Sequence, residues 1–503
     1  MFGRKVIYTD ADRITRDNVC SVLQTALTTH VSNRAEIKSL YEYYKGNQPV
    51  LQRVKEFRPE INNPVVENIA YQIVEFKTGY LTYEPVQYVC VSEDKAVLDK
   101  VDTLNRWMVA QDKESLDTEI AWWFHICGTA YRMVLPNKAK KKGDGESPFE
   151  IYTLDPQTTF VVRYNGLGSK PVMGVKYVER ADGTVVFSCY TDDTYFEIDD
   201  MTVVQTEEPN PFGIPIVEYP GNLARLGAFE VVLSLMDAIN EIESNRTDAI
   251  QQFVQALMLF HNVDVSAEDF AKLRELGALK YKDIDPQMKA EIMYLVQELN
   301  QDQSQTFVDS LYQRVLNIVG LPNRNGGGKS TSDTGKATAL RDGWTSTEYC
   351  ARLTERCFRS SERDFLDRVL ILCKYLDGMD LKMTEFEIRM PRRNYDNIKE
   401  KADVLTMMLN NDKIAPKLAF EHCGMFVDPE TAFKASEEYA KKRQEEILAE
   451  MYAVATNGNG TGGRTSNSTG PIDEDYISTD GRRRRRVKSS SMKDGDGDGI
   501  INE

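Results

Sequence analysis

Residues 229–257 carry an apolar stripe of Val232, Leu235, Ile239, Ile242, Ala249, Phe253 and Ala256, at heptad-like spacing interrupted by Arg246. The spacing predicts one long amphipathic helix from Phe229 to Leu257. Glu230, Asp237, Glu241 and Asp248 recur along it at steps of seven, four and seven. At about 100° per residue these acids share one line opposite the stripe. A solvated helix face and the wall of a channel explain that line equally well.

The elements downstream of this helix come in an unusual order. Leu257–Val265 reads as a strand, Ala267–Leu276 as a helix, and Ala278–Tyr281 and Ile292–Val296 as short strands, which together make a compact mixed insert. Thr306–Val319 reads as a second helix with Phe307, Leu311, Val315 and Ile318 on one side, stopped by Gly320-Leu321-Pro322. The glycine-rich run NRNGGGKSTSDTG (Asn323–Gly335) leads into a helical pattern from Lys336 to Leu376, marked by Leu340, Trp344, Ala351, Phe358, Phe365, Val369 and Leu372. That length exceeds an ordinary globular helix and suggests a spine.

The earlier part begins with helices. Thr9 and Asp10 are placed to cap a helix running to about His30, and Asn33 to cap a second one carrying Ile37, Leu40, Tyr41 and Tyr44. Pro64 opens a third, with Val65, Ile69, Ile73, Phe76 and Tyr80 at helical spacing, and Glu93–Ala110 and Ser115–Cys127 follow. From Tyr131 to about Tyr219 the period changes to short β-rich runs (TAYRMVL, FEIYTL, TTFVVRY, VMGVKYVE, TVVFSCY), read as one half-exposed antiparallel sheet with a solvated hairpin tip at Lys138–Gly145. After the strand-like Phe386–Met390, helices at Asn397–Leu409, Ile414–His422 and Asp428–Ala453 close the folded part. The remainder, rich in Gly, Ser, Thr and Asn and ending in RRRRR and DGDGDG, reads as disordered. The fold class is α+β, mainly helical.

Composition narrows the chemistry. A net charge of −16 argues against a simple DNA-gripping module, which needs clustered cations, yet an acidic wall lets a duplex slide. The eight scattered cysteines lack metal-ligand spacing, and four histidines make a His-based centre improbable. No apolar run is long enough to span a membrane, and the first residues lack a secretory core. GGGKST (Gly326–Thr331) brings a phosphate loop to mind, but Asn323 stands where its first glycine belongs and a helix precedes it instead of a strand. Asp494, Asp496 and Asp498 ahead of Gly499 imitate the start of a calcium loop that stops short of its last ligand. Arg482–Arg486 is a cationic run in a tail, and Cys350 and Cys357 are read as small core residues. No nucleophile–base set emerges from spacing, so no enzymatic function and no cofactor is expected.

Several segments in one order resemble the portal (head-to-tail connector) proteins of long-tailed bacteriophages: YEYYKGNQPVL (Tyr41–Leu51), NNPVVENIAYQIVEFKTGYLTYEPVQY (Asn62–Tyr88), FEIYTLDPQTTFVV (Phe149–Val162), NPFGIPIVEYPGN (Asn210–Asn222), the acidic helix, and TGKATALRDGW (Thr334–Trp344). The resemblance implies a dodecameric ring at one capsid vertex, assembled in the host cytoplasm, through which double-stranded DNA is packaged and ejected. It implies a wing (1–225 and 336–395), a stem (226–257 and 304–320), a clip (258–303), a tunnel loop (321–335), a crown (396–455) and a disordered tail (456–503). The implied partners are the terminase, the head-completion adaptor and the major capsid or scaffolding protein, with no membrane. On this frame Glu230, Asp237, Glu241 and Asp248 are expected to line the channel, and Arg324, Lys329 and Lys336 to touch DNA from the tunnel loop. Two other readings remain open: a nucleotide-dependent DNA motor, resting on GGGKST, and a coiled-coil assembly protein, resting on the heptad-like helices.

Overall fold

A computed structural model describes residues 3–56, 58–92, 94–140, 145–207, 212–254, 257–264, 282–284, 291–295, 301–323, 343–391, 398–426 and 429–457. The chain divides into two compact units, residues 1–430 and residues 431–503.

The N-terminus departs from expectation. Ile7–Thr9 is a strand (β1), and one continuous helix, α1, spans Val19–Tyr44. Asn33 does not start a new helix. Its side chain accepts from the Lys5 N–H (2.9 Å) and donates to the Lys5 carbonyl (2.8 Å), so it fastens the extended N-terminal segment to the middle of α1. No proline or glycine interrupts α1, whose buried residues Val19, Leu23, Ala26, Ile37 and Leu40 recur at helical spacing.

The helix expected from Pro64 begins later, as α2 (Ile69–Leu81). The preceding residues stay extended because the N–H groups of Val65 and Glu67 find partners elsewhere, in Ser244 Oγ and Asn240 Oδ1, both at 2.9 Å. Asn68 caps α2 by accepting from the Tyr71 N–H (3.3 Å), and the same amide accepts from Gln48 (3.1 Å) and donates to the Tyr44 carbonyl (2.8 Å). Replacing Asn68 by Ala is expected to lower stability by about 1–2 kcal/mol, read as a shifted urea midpoint, since a cap and two further hydrogen bonds are lost. The strand β2 (Gln87–Cys90) and helices α3 (Lys95–Ala110, capped by Asp94) and α4 (Lys113–Cys127) follow.

The β-rich region holds two sheets where the sequence suggested one. Its strands are β3 (Thr129–Pro136), β4 (Phe149–Leu154), β5 (Thr159–Tyr164), β6 (Pro171–Glu179), β7 (Val185–Tyr190), β8 (Tyr195–Asp199), β9 (Thr202–Glu207) and β10 (Ile216–Pro220). The larger sheet runs β1-β5-β6-β7-β8-β9 and is antiparallel except for β1, which lies parallel to β5 with Ile7 opposite Val162. Phe160, Val162, Met173, Val175, Phe187 and Phe196 pack its inner face on Val19, Val22 and Leu23 of α1. The smaller sheet, β10-β3-β4, belongs to the main core with α2 and α4. Tyr131, Met133, Val161 and Ile216 join the two sheets. Lys138, Ala139 and Gly145 of the 138–145 turn are exposed, while the Lys140 side chain is buried against the Trp107 ring and paired with Asp377 at 3.1 Å.

The long helix expected from Phe229 is composite. Glu230–Val232 is a 3-10 turn, α5 spans Leu233–Val254, and by Leu257 the chain is already in strand β11 (Leu257–His261). Strand β11 pairs with β14 (Glu291–Leu295), while β12 (Val263–Asp264) pairs with β13 (Lys282–Asp283). The expected helix Ala267–Leu276 and strand Ala278–Tyr281 lie outside the described residues. Helix α6 (Gln301–Val319) returns beside α5, with Arg246 donating to Gln305 at 2.9 Å. The described part of the spine is α7 (Trp344–Leu372), which ends in a π turn at Cys373–Asp377 and Gly378. Strand β15 (Phe386–Arg389) pairs with β2, Ile388 opposite Tyr88. Helices α8 (Ile398–Leu409), α9 (Pro416–His422) and α10 (Pro429–Asn457) match the expected C-terminal helices closely.

Candidate functional site: the α5–α6 pair and the charges that seat it

The sequence placed four acids of the α5 region on one exposed line. The structure corrects this for two of them. Glu230 is buried, with Oε1 2.7 Å from Arg4 and Oε2 accepting from the Gly227 N–H at 2.9 Å. Arg4 also reaches Glu36 (3.0 Å) and the Cys127 carbonyl (3.1 Å), so it ties the N-terminus to α1, α4 and the start of α5. Asp248 is buried as well: it accepts from Arg53 at 2.9 Å, from Lys55, and from the Asn63 N–H at 2.7 Å. Desolvation works against its ionisation, but Lys55 and Asn63 outweigh it and hold the carboxyl below the ordinary value. Neither carboxylate is free to face a lumen.

Asp237 is half-buried and accepts from the Tyr43 hydroxyl at 2.8 Å. Burial, with that acid beside it, pushes the Tyr43 pKa well up. Glu241 keeps half its side chain in solvent, 3.4 Å from Arg53 Nε. The reason for the split lies in the partners. The buried line of α5 is Met236, Asn240, Ser244 and Asp248, at steps of four, because its polar members bind Arg53, Asn63, Val65 and Glu67. Those partners are nearly two hundred residues away in sequence, where helical spacing gives no hint of them. Arg324, Lys329 and Lys336 lie outside the described residues, as do GGGKST, Arg482–Arg486 and the DGDGDG tail.

A second charged cluster, which sequence reasoning missed, joins α7 to the core. Arg132 on β3 is fully buried, with Nη2 2.6 Å from Asp117 and Nη1 3.3 Å from Glu362. Lys113 lies 2.7 Å from Asp117 and 2.8 Å from Glu362. Tyr88 and Tyr219 donate to the two oxygens of Glu362 at 2.6 and 2.8 Å. Two cations face two anions, so the cluster is neutral and every carboxylate oxygen has a partner. Burial opposes the charge on Glu362, yet Lys113 and Arg132 hold its pKa down; burial and Glu362 drive Tyr88 well up. The one available signal was a lone Arg inside the apolar run TAYRMVL, together with Lys113 and Asp117 four apart.

The eight cysteines are free thiols, Cys350 and Cys357 half-buried. Among the described residues no group of three or more His, Cys, Asp or Glu side chains is placed to hold a metal ion. No helix among them is long and apolar enough to cross a membrane. Each charged cluster fastens one element to another.

Residues 24–448 match the family model of phage portal proteins, SPP1 Gp6-like. The chain belongs to that family, a family of structural virion proteins that act as multimers with capsid and DNA. No curated protein matches the sequence.

Proposed function

We propose that twelve copies form the portal ring at one capsid vertex, through which DNA enters during packaging and leaves at ejection. The family match over residues 24–448 carries this reading. The wing is residues 1–225 with 336–395, the stem 226–257 with 304–320, the clip 258–303, the tunnel loop 321–335, the crown 396–455, and 456–503 the tail. The clip docks the terminase and then the head-completion adaptor. An α5–α6 pair bracketing two small β-ribbons supports a stem carrying a clip. Of the four acids, Glu241 has the exposure a channel wall requires, and Arg324, Lys329 and Lys336 are the tunnel-loop cations offered to DNA.

Negative-stain electron microscopy of the purified chain tests the reading. Closed annuli with a central hole are expected; a lone monomer or open filaments would overturn it. The α6 helix offers a sharper form of the test. Phe307 and Ile318, expected on its core side, are 55% and 56% exposed, while Val308, Leu311, Val315 and Leu316 fill the core. Eleven residues apart, they share a face after three turns. In a ring that face is covered by the neighbouring copy. The double variant Phe307→Glu, Ile318→Glu is expected to sediment as a monomer, with each surface change moving monomer stability by no more than about 0.5 kcal/mol.

A further inference from the structure

Helix α7 is apolar on two sides. Phe358, Phe365, Leu366 and Val369 fill the core, yet Tyr349 (65% exposed) and Leu353 (44% exposed) stand in solvent on the opposite side. Arg352 and Arg356, also exposed, follow Tyr349 by three and seven residues and so share its face. Arg352 pairs with Glu348 at 2.9 Å, whereas among the described residues no ion pair or hydrogen bond engages Arg356. Helix α7 meets α2 through its other side: Phe76, Lys77 and Tyr80 of α2 and Thr347, Cys350 and Thr354 of α7 line one small cavity between them. The outer faces of this helix pair therefore point in opposite directions. That of α2 carries Tyr71 (52% exposed), Glu75 and, just before the helix, Glu67, and the described part of residues 59–92 holds no exposed Lys or Arg. Glu67 binds Asn240 through its backbone N–H (2.9 Å), but among the described residues no partner engages its carboxylate. Its partial burial, and then the charges of Glu243 and Asp309, raise its pKa. Glu243 has Arg246 at 2.7 Å, while Asp309, exposed on α6, accepts from the neutral Gln305 amide at 2.8 Å.

One outer face with a spare cation and an opposite face with spare anions join identical copies head to tail, the kind of contact that closes into a ring. Phosphate recognition has no use for Tyr349 and Leu353 in the same two turns, whereas Tyr and Arg together mark the centres of protein–protein contacts. We propose that the outer face of α7 in one copy docks on the outer face of α2 and the adjoining side of α6 in the next. Arg352 and Arg356 are then set against Glu67 and Asp309, and Tyr349 and Leu353 against Tyr71. This contact rests on the ring reading and adds to it a second joint, apart from the Phe307 and Ile318 face.

A photoreactive benzophenone side chain is to be placed at position 353 of the full chain, and rings assembled from mixed heavy- and light-isotope copies irradiated and mapped. Links between copies, from position 353 to residues 67–75 or 305–313, are expected. Arg352→Glu with Arg356→Glu should raise the chain concentration at half-assembly by about tenfold or more, and adding Glu67→Lys with Asp309→Lys should reverse most of that loss. All four positions are exposed, and circular dichroism melts of the dilute, unassembled chains check that the variants fold. If a variant does not fold, the links from position 353 decide alone. Rings without links from position 353, links to another region, or charge-reversed chains that assemble like wild type would overturn the proposal and leave the ring in place. So would links to added duplex DNA in preference to a second copy, which would assign the α7 face to nucleic acid. If the wild-type chain stays monomeric, the ring reading fails and this contact fails with it.

Discussion

Glu362→Gln is expected to cost about 3–5 kcal/mol of stability, because removing one charge from a buried ionic cluster leaves the others unpaired. Glu362 is fully buried and receives Lys113, Arg132, Tyr88 and Tyr219 at once. The amide keeps the shape but deletes the charge, so Lys113 and Arg132 face Asp117 alone, and an NH2 group meets at least one donor. Urea unfolding monitored by fluorescence checks this, with exposed Arg363→Gln as the control. The control midpoint should move by no more than about 0.5 kcal/mol equivalent. The loss should depend on pH in one direction. The folded-state pKa of Glu362 is depressed from the ordinary value of 4.5, so its contribution is present above that value and fades as the pH falls through the folded pKa. The stability gap between wild type and Glu362→Gln therefore narrows on acidification and is full at neutral pH. Constancy of the gap down to strongly acidic pH would show that shape, and not charge, is what the position needs. The cluster draws on α4, β3, β10, β2 and α7 together, so the same variant should also loosen the seating of the spine helix.

Local pattern made the elements legible and left their partners hidden. Helices α3, α4, α8 and α9 fall within about two residues of where the sequence pattern puts them, since that signal sits within each segment. Asn33 misled for the opposite reason: the residue type that caps helices also grips an extended strand, and only the fold shows that Lys5 lies beside it. Pro64 misled likewise, because Ser244 and Asn240 of α5 take the N–H groups of Val65 and Glu67 and hold this stretch outside a helix. The acids of α5 carry the same lesson into the candidate site. Helical spacing relates Asp237, Glu241 and Asp248 along α5, while Glu230 falls in the 3-10 turn before it, and angle alone does not say which will meet a cation. Arg4, Arg53 and Lys55 decide that from positions far earlier in the chain. The family resemblance, by contrast, survived these local errors because it rests on several segments in order and not on any one contact.

Gly128→Ala is expected to cost about 4 kcal/mol or more and to reduce soluble yield sharply. Gly128 closes α4 at φ +84°, in the left-handed region, and an added Cβ would sit 2.1 Å from the Arg225 carbonyl oxygen and 2.4 Å from its carbon. Both obstacles are backbone, so no rotamer change relieves them. The stretch of chain they belong to is held from several sides. Gly221 N–H donates to the Gly128 carbonyl (3.1 Å), Ala228 N–H to the His125 carbonyl (2.7 Å), and Arg4 N–H to the Arg225 carbonyl (3.0 Å). The Asn222 side chain ties the same turn together, donating to the Leu226 carbonyl at 2.7 Å. Residues 222–228 are thus laid backbone-to-backbone on the end of α4, and they deliver the chain into α5. Gly183→Ala separates strain from collision: Gly183 has φ +85°, but its Cβ would meet nothing within 4 Å. That variant should lose only about 1–2 kcal/mol, the cost of a left-handed alanine. Thermal melts of the two proteins, with electron microscopy of each, give the comparison. If the Gly128 variant melts like the Gly183 variant and still assembles, residues 222–228 move aside without consequence, and the angle at which α5 leaves the core is not set there. If it fails while the Gly183 variant assembles, the close approach at Gly128 is what aims the α5–α6 pair.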